Sequence, residues 1–146
     1  MKTLAALIIG SMIAATANAA VIATAKRSPG FVMTPQSEVL SLNDDGKLTL
    51  TSTLVRTGKV TVTQVAQYSK YALKVIKQRL TYLNPSTEKL VDPEATKPMC
   101  TDAPSTSVTV NIDAQELEVY RWSGCHEWNL ESGQGKFFAD LLTPWL

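Results

Sequence analysis

His126, Cys100, Cys125 and a scatter of carboxylates are the residues of this chain whose types could do chemistry. His126 is the sole histidine, so a zinc site built on paired histidines is excluded, and no serine sits in a nucleophile-elbow motif that would use it as a base. It lies directly after Cys125 and before Glu127 and Trp128, a setting that reads as structural. The two cysteines lack the CxxC spacing of a redox pair, and are expected to form one intramolecular disulfide, Cys100–Cys125. Closing a loop of roughly 25 residues contributes about 3–4 kcal/mol in the chain-entropy model. Glu116 with Glu118, and Glu127 with Glu131, have the i, i+2 and i, i+4 spacing of solvated strand faces, and no acid–base pair is read into them. Asn43-Asp44-Asp45-Gly46 imitates part of a calcium loop. With Gly46 at loop position 6, however, Ser41 and Ser52 would fall where the loop needs Asp and Glu, so a hairpin turn explains these residues better. No catalytic residue, metal ligand or cofactor is assigned, and the chain is read as a non-enzyme.

The N-terminus supplies an address. Lys2 precedes an uncharged run over residues 4–16, and Ala17-Asn18-Ala19 has the small-x-small pattern of a signal-peptidase site. The run is shorter than the ~20 apolar residues of a membrane span. Residues 1–19 are therefore expected to be a signal peptide, cut after Ala19 with Ala20 and Ala25 as alternatives, and the mature protein to be periplasmic or secreted. Residues 20–146 suit one domain. The leader holds one base and no acid, so the formal charge of +1 falls to zero on cleavage. That balance excludes the Lys/Arg excess of a nucleic-acid binder, and no later stretch is apolar enough to span a membrane.

Charge is nonetheless uneven. Lys47, Arg56, Lys59, Lys70, Lys74, Lys77 and Arg79 occupy residues 46–87 without an acid, whereas acids outnumber bases from Glu88 onward. Lys70, Lys74 and Lys77 share one side of a helix. This basic face either meets an acidic partner or anionic envelope polymer, or is neutralised where the two halves pack.

Two further features could bind a partner protein. Pro98-Met99-Cys100-Thr101-Asp102-Ala103-Pro104 is a short segment bracketed by prolines and crosslinked at Cys100, which would present Met99, Thr101 and Asp102 at low entropic cost. Secreted inhibitors of hydrolases often use such a loop; the alternative is a fastened crossover. Tyr120 and Trp122 alternate with Leu117 and Val119 along a strand and share a face with Glu118. They are either surface aromatics of a contact site or are covered by the C-terminal helix with Phe137 and Trp145.

The elements that position these residues follow from periodicity. Residues 20–30 read as an extended lead-in, and Phe31-Val32-Met33-Thr34 as the start of a strand limited by Pro35. Residues 39–42 and 47–55 alternate around the Asp-Gly turn as a hairpin, and Val60 and Val62 follow Thr57-Gly58. From Tyr68 the period becomes 3.6, with Ala72, Leu73, Ile76, Leu80 and Leu83 on one side until Asn84-Pro85. Residues 84–105 form a proline-rich connection. Val108, Val110 and Ile112 alternate, residues 113–116 turn, and residues 117–122 return. His126, Trp128 and Leu130 form another strand, and residues 136–142 a closing helix. The expected fold is α+β: an antiparallel sheet of about six strands with one amphipathic helix and a short C-terminal helix on one face, and one disulfide.

Overall fold

A computed structural model describes residues 19–31, 33 and 35–146. The expected leader lies outside the described residues except for Ala19. The molecule is mostly one antiparallel sheet of eight strands: β1 (Val21–Ser28), β2 (Gln36–Asn43), β3 (Lys47–Leu54), β4 (Val60–Gln67), β5 (Leu90–Val91), β6 (Ser105–Ile112), β7 (Gln115–Ser123) and β8 (His126–Leu130). Their spatial order is β4-β3-β2-β1-β6-β7-β8-β5. Two helices, α1 (Lys70–Leu80) and α2 (Gly135–Leu142), and a 3-10 turn at Thr143–Trp145 complete it. Among the described residues no helix is long and apolar enough to cross a membrane.

Eight strands replace the expected six because β1 and β5 were hidden. The lead-in is β1, at the centre of the sheet between β2 and β6. Its inward residues are Ala23 and Ala25, both fully buried, too small to announce a strand by hydropathy. β5 has only two residues, paired with Leu130 and Asn129 inside the long connection. The strand expected at residues 31–34 does not form at Phe31 or Met33, which lie in bends; Val32 and Thr34 fall outside the described residues.

The turns follow their residue types. Gly46, at φ 87°, closes β2–β3 with its N–H donating to Asn43 O at 3.0 Å, while Asp45 Oδ1 accepts from Lys47 N at 2.9 Å. The β6–β7 turn is shorter than expected: Asp113 and Ala114 alone span it, both at positive φ, the signature of a primed two-residue hairpin turn. Helix α1 begins at Lys70 rather than Tyr68, because Tyr68 N still donates to Gly46 O at 2.9 Å beside the hairpin. Ser69 Oγ caps the helix by accepting from Ala72 N at 3.1 Å. Ser69→Ala is expected to lower the unfolding free energy by about 1 kcal/mol, measurable by urea denaturation, with Ser69→Asp restoring it.

The core gathers Leu40, Leu42 and Leu48 from the first hairpin, Val108, Val110, Leu117 and Val119 from the second, and Ile76, Phe138 and Leu142 from the helices. Helix α2 contacts β7, β8, β1 and β6. Its first residue, Gly135, lies so close to β7 that a Cβ there would sit 1.8 Å from Val119 O.

Candidate functional site

The 98–104 loop, His126 and the Tyr120–Trp122 segment come together at the end of the sheet where β1 and β7 stop and β6 and β8 begin. The loop over residues 98–104 is held there from several sides. The disulfide Cys100–Cys125 is formed, with the Cα atoms 5.8 Å apart. Phe31 N donates to Asp102 O at 3.2 Å. Gly30 and Gly124 lie against the same loop; a Cβ at Gly30 would stand 2.5 Å from Asp102 O, and one at Gly124 2.3 Å from Ala103 Cβ. Gly124 also has φ 62°, so both its conformation and its surroundings call for glycine.

His126 is the remaining fastener, a role sequence reasoning missed. Its side chain is 1% exposed, with Nδ1 2.6 Å from Asp92 Oδ2 and Nε2 3.1 Å from Pro98 O. Both partners are acceptors, so only the doubly protonated ring can donate to both. Neither nitrogen is left to serve an outside molecule. The hydrogen bond to Asp92, then that to Pro98, raise the His126 pKa above its ordinary value against the opposing effect of burial, and the charges of Asp92 and Glu94 add to this. Burial would push the Asp92 carboxyl up, but the hydrogen bonds from His126 and Glu94 N, with the charges of His126 and Lys97, hold it below its ordinary value. Trp128 stacks on the imidazole with ring centroids 5.5 Å apart.

This pair gives the loop a pH window. His126, raised above 6.5, contributes stability that is complete below 6.5 and lost as pH rises through its folded value. Asp92, lowered from 3.8, contributes stability that is present above 3.8 and lost as pH falls through its folded value. The clamp is therefore complete between about pH 4 and 6.5. Asp92→Asn is expected to destabilise the protein most within that window. The difference from wild type should shrink on the alkaline side, as read from urea unfolding at pH 5.5 and pH 9; a gap of equal size at both would refute the clamp.

Held in this way, the loop keeps Met99, Thr101 and Asp102 exposed. Met99 is 59% exposed, and Phe31, hydrogen-bonded to the same loop, 93%. Asp102 adopts φ 58°.

Tyr120 and Trp122 do not share a face with Glu118, as strict alternation would have it. Register pairs Thr109 with Glu118 but Val108 with Tyr120, so Val119 is an extra residue, a bulge. The bulge returns Tyr120 to the face of the core residues Ala25 and Val108, and leaves Glu118 on the other face, bound to Arg121 with Nε to Oε1 at 2.8 Å. Tyr120 and Trp122 are half-buried there, with Arg27, Pro104, Thr106 and Thr143, around a cleft of about 550 Å³. Arg27 Nη1 pairs with Glu38 Oε2 at 3.3 Å on the cleft side. Burial first, then the nearby Glu127 carboxylate and the charge of Asp140, push the Tyr120 phenol up to about 12, so it stays protonated.

Lys70, Lys74 and Lys77 are exposed along α1, away from these features in sequence and structure, and Lys77 Nζ donates to Asp44 O at 3.0 Å. None of the ion pairs among the described residues includes a base from residues 46–87, so ion pairing between the basic and acidic halves is not how those charges are met. Among the described residues no cluster of three or more His, Cys, Asp or Glu could hold a metal ion. No family model matches the chain, and neither a curated protein nor a solved structure matches it.

Proposed function

We propose that this is a small exported binding protein whose 98–104 loop enters the cleft of a partner protein, a hydrolase of the envelope or extracellular space, and inhibits it. The observation that carries this reading is the contrast within the loop. Its backbone is tied by a disulfide, by His126 and by Phe31 N, while Met99 and Thr101 remain exposed. A segment ordered before binding loses little entropy on binding. In this reading both helices cover one face of the sheet, since Ile76, Phe138 and Leu142 share the core with inward strand residues. Export by a leader cut after Ala19 or Ala20 would leave β1 whole, whereas a cut after Ala25 would take Ala23 and Ala25 out of the core.

A second reading, an envelope accessory protein using Lys70, Lys74 and Lys77, draws on their exposure and on the lack of any acid paired with them among the described residues. Capture separates the two. Immobilised oxidised protein, offered envelope and supernatant fractions at low and high salt, should retain one hydrolase at both salt levels and inhibit it. Retention of many anionic species at low salt alone would favour the basic face, because screening removes such contacts.

A further inference from the structure

We propose that the cleft lined by Arg27, Pro104, Thr106, Tyr120, Trp122 and Thr143, which adjoins the 98–104 loop at Pro104, is a binding site for a neutral saccharide that does not use the loop's exposed Met99. Its volume, about 550 Å³, lies within the range of small-ligand sites and suits a short oligosaccharide. The lining combines two kinds of surface that a sugar ring also combines. Tyr120 and Trp122 offer aromatic area to the C–H face of a pyranose. Thr106 offers a hydroxyl that can donate and accept, Thr143, whose hydroxyl donates to Ala139 O at 2.8 Å, offers an acceptor, and the indole of Trp122 adds an N–H donor.

Charge decides the class of ligand. Among the described residues Arg27 is the one charged side chain lining the cleft, and Glu38 at 3.3 Å already meets its charge. An anionic ligand would have to compete with that carboxylate, and a cationic ligand would face the guanidinium. The ion pair uses Nη1, so the guanidinium keeps further N–H donors in a planar fork, the geometry that two neighbouring hydroxyls can accept from. Arg27, tied to Glu38, is oriented before any ligand arrives, which lowers the cost of binding. The bulge at Val119 makes the site possible, because without it Tyr120 and Trp122 would point to the other face of the sheet.

The test is a titration of the oxidised, ¹⁵N-labelled protein with maltotriose, cellotriose and tri-N-acetylchitotriose, with benzoate and choline as charged probes, followed by amide and indole NMR. The proposal expects saturable shifts at Trp122 Nε1–H and the Thr106 amide with at least one trisaccharide. It also expects at least tenfold weaker binding in Trp122→Ala, and in Arg27→Gln should the first variant fold poorly. Met99→Asp should bind the sugar as wild type does, so failure here and failure of the loop reading are distinguishable. No saturation with any of the three sugars, tighter binding of benzoate or choline, or sugar binding unchanged in both cleft variants would overturn it.

Discussion

Gly135→Ala is expected to destabilise the protein by about 3 kcal/mol or more, at the upper end of the cost of overpacking. Gly135 opens α2 directly on the bulge of β7, and a Cβ would lie 1.8 Å from Val119 O and 2.8 Å from Val119 C. Both are backbone atoms, so no side chain can swing aside; the helix or the bulge must move. Moving the helix displaces Phe138 and Leu142 from the core. The sign is diagnostic, because helix propensity alone would make the same substitution favourable by about 1 kcal/mol. Urea unfolding measures it, with an unchanged slope showing that the loss is of stability. A neutral or stabilised Gly135→Ala would mean that α2 does not rest on the bulge.

Removing both cysteines, as Cys100→Ala with Cys125→Ala, is expected to cost about 3–4 kcal/mol, from the loop entropy restored to the unfolded chain over a sequence separation of 25. At this chain length that corresponds to a fall of about 10 °C in Tm. The double variant avoids leaving a reactive thiol. It also isolates the remaining fasteners, since His126 still reaches Pro98 and Asp92, and Phe31 still reaches Asp102. The native sheet should therefore persist, with faster amide exchange confined to residues around Cys100. Calorimetry and hydrogen exchange read the two effects separately. An unchanged Tm would show that the crosslink adds nothing to loop order.

The sequence made local pattern legible and left distant juxtaposition hidden. Asp45-Gly46 announced its hairpin, and the alternation of β2, β3 and β6 appeared where leucine or valine recurs every second residue. The disulfide followed from there being two cysteines in a chain read as exported. The central strand β1 escaped because alanine fills its inward positions. The placing of Tyr120 on one face with Glu118 fails because strict alternation breaks at Val119, a residue that no type preference marks as bulged. The clamp joins Asp92 and His126, 34 residues apart, and the cleft draws on β1, β6, β7 and the C-terminal turn. No window of sequence holds either set together. The setting of His126 in the sequence reads as structural, but its partners Asp92 and Pro98 could not be named from it.

The most direct test of the loop reading is the dissociation constant of the captured hydrolase for three proteins at two salt concentrations: wild type, Met99→Asp with Thr101→Asp, and Lys70→Glu with Lys74→Glu and Lys77→Glu. All the substituted side chains are exposed, so each variant should keep nearly the wild-type melting temperature. The loop reading expects the Met99/Thr101 variant to lose at least a hundredfold in affinity and all inhibition, with the lysine variant close to wild type and little dependence on salt. Undiminished binding by the Met99/Thr101 variant would contradict it, most plainly if the lysine variant lost affinity instead.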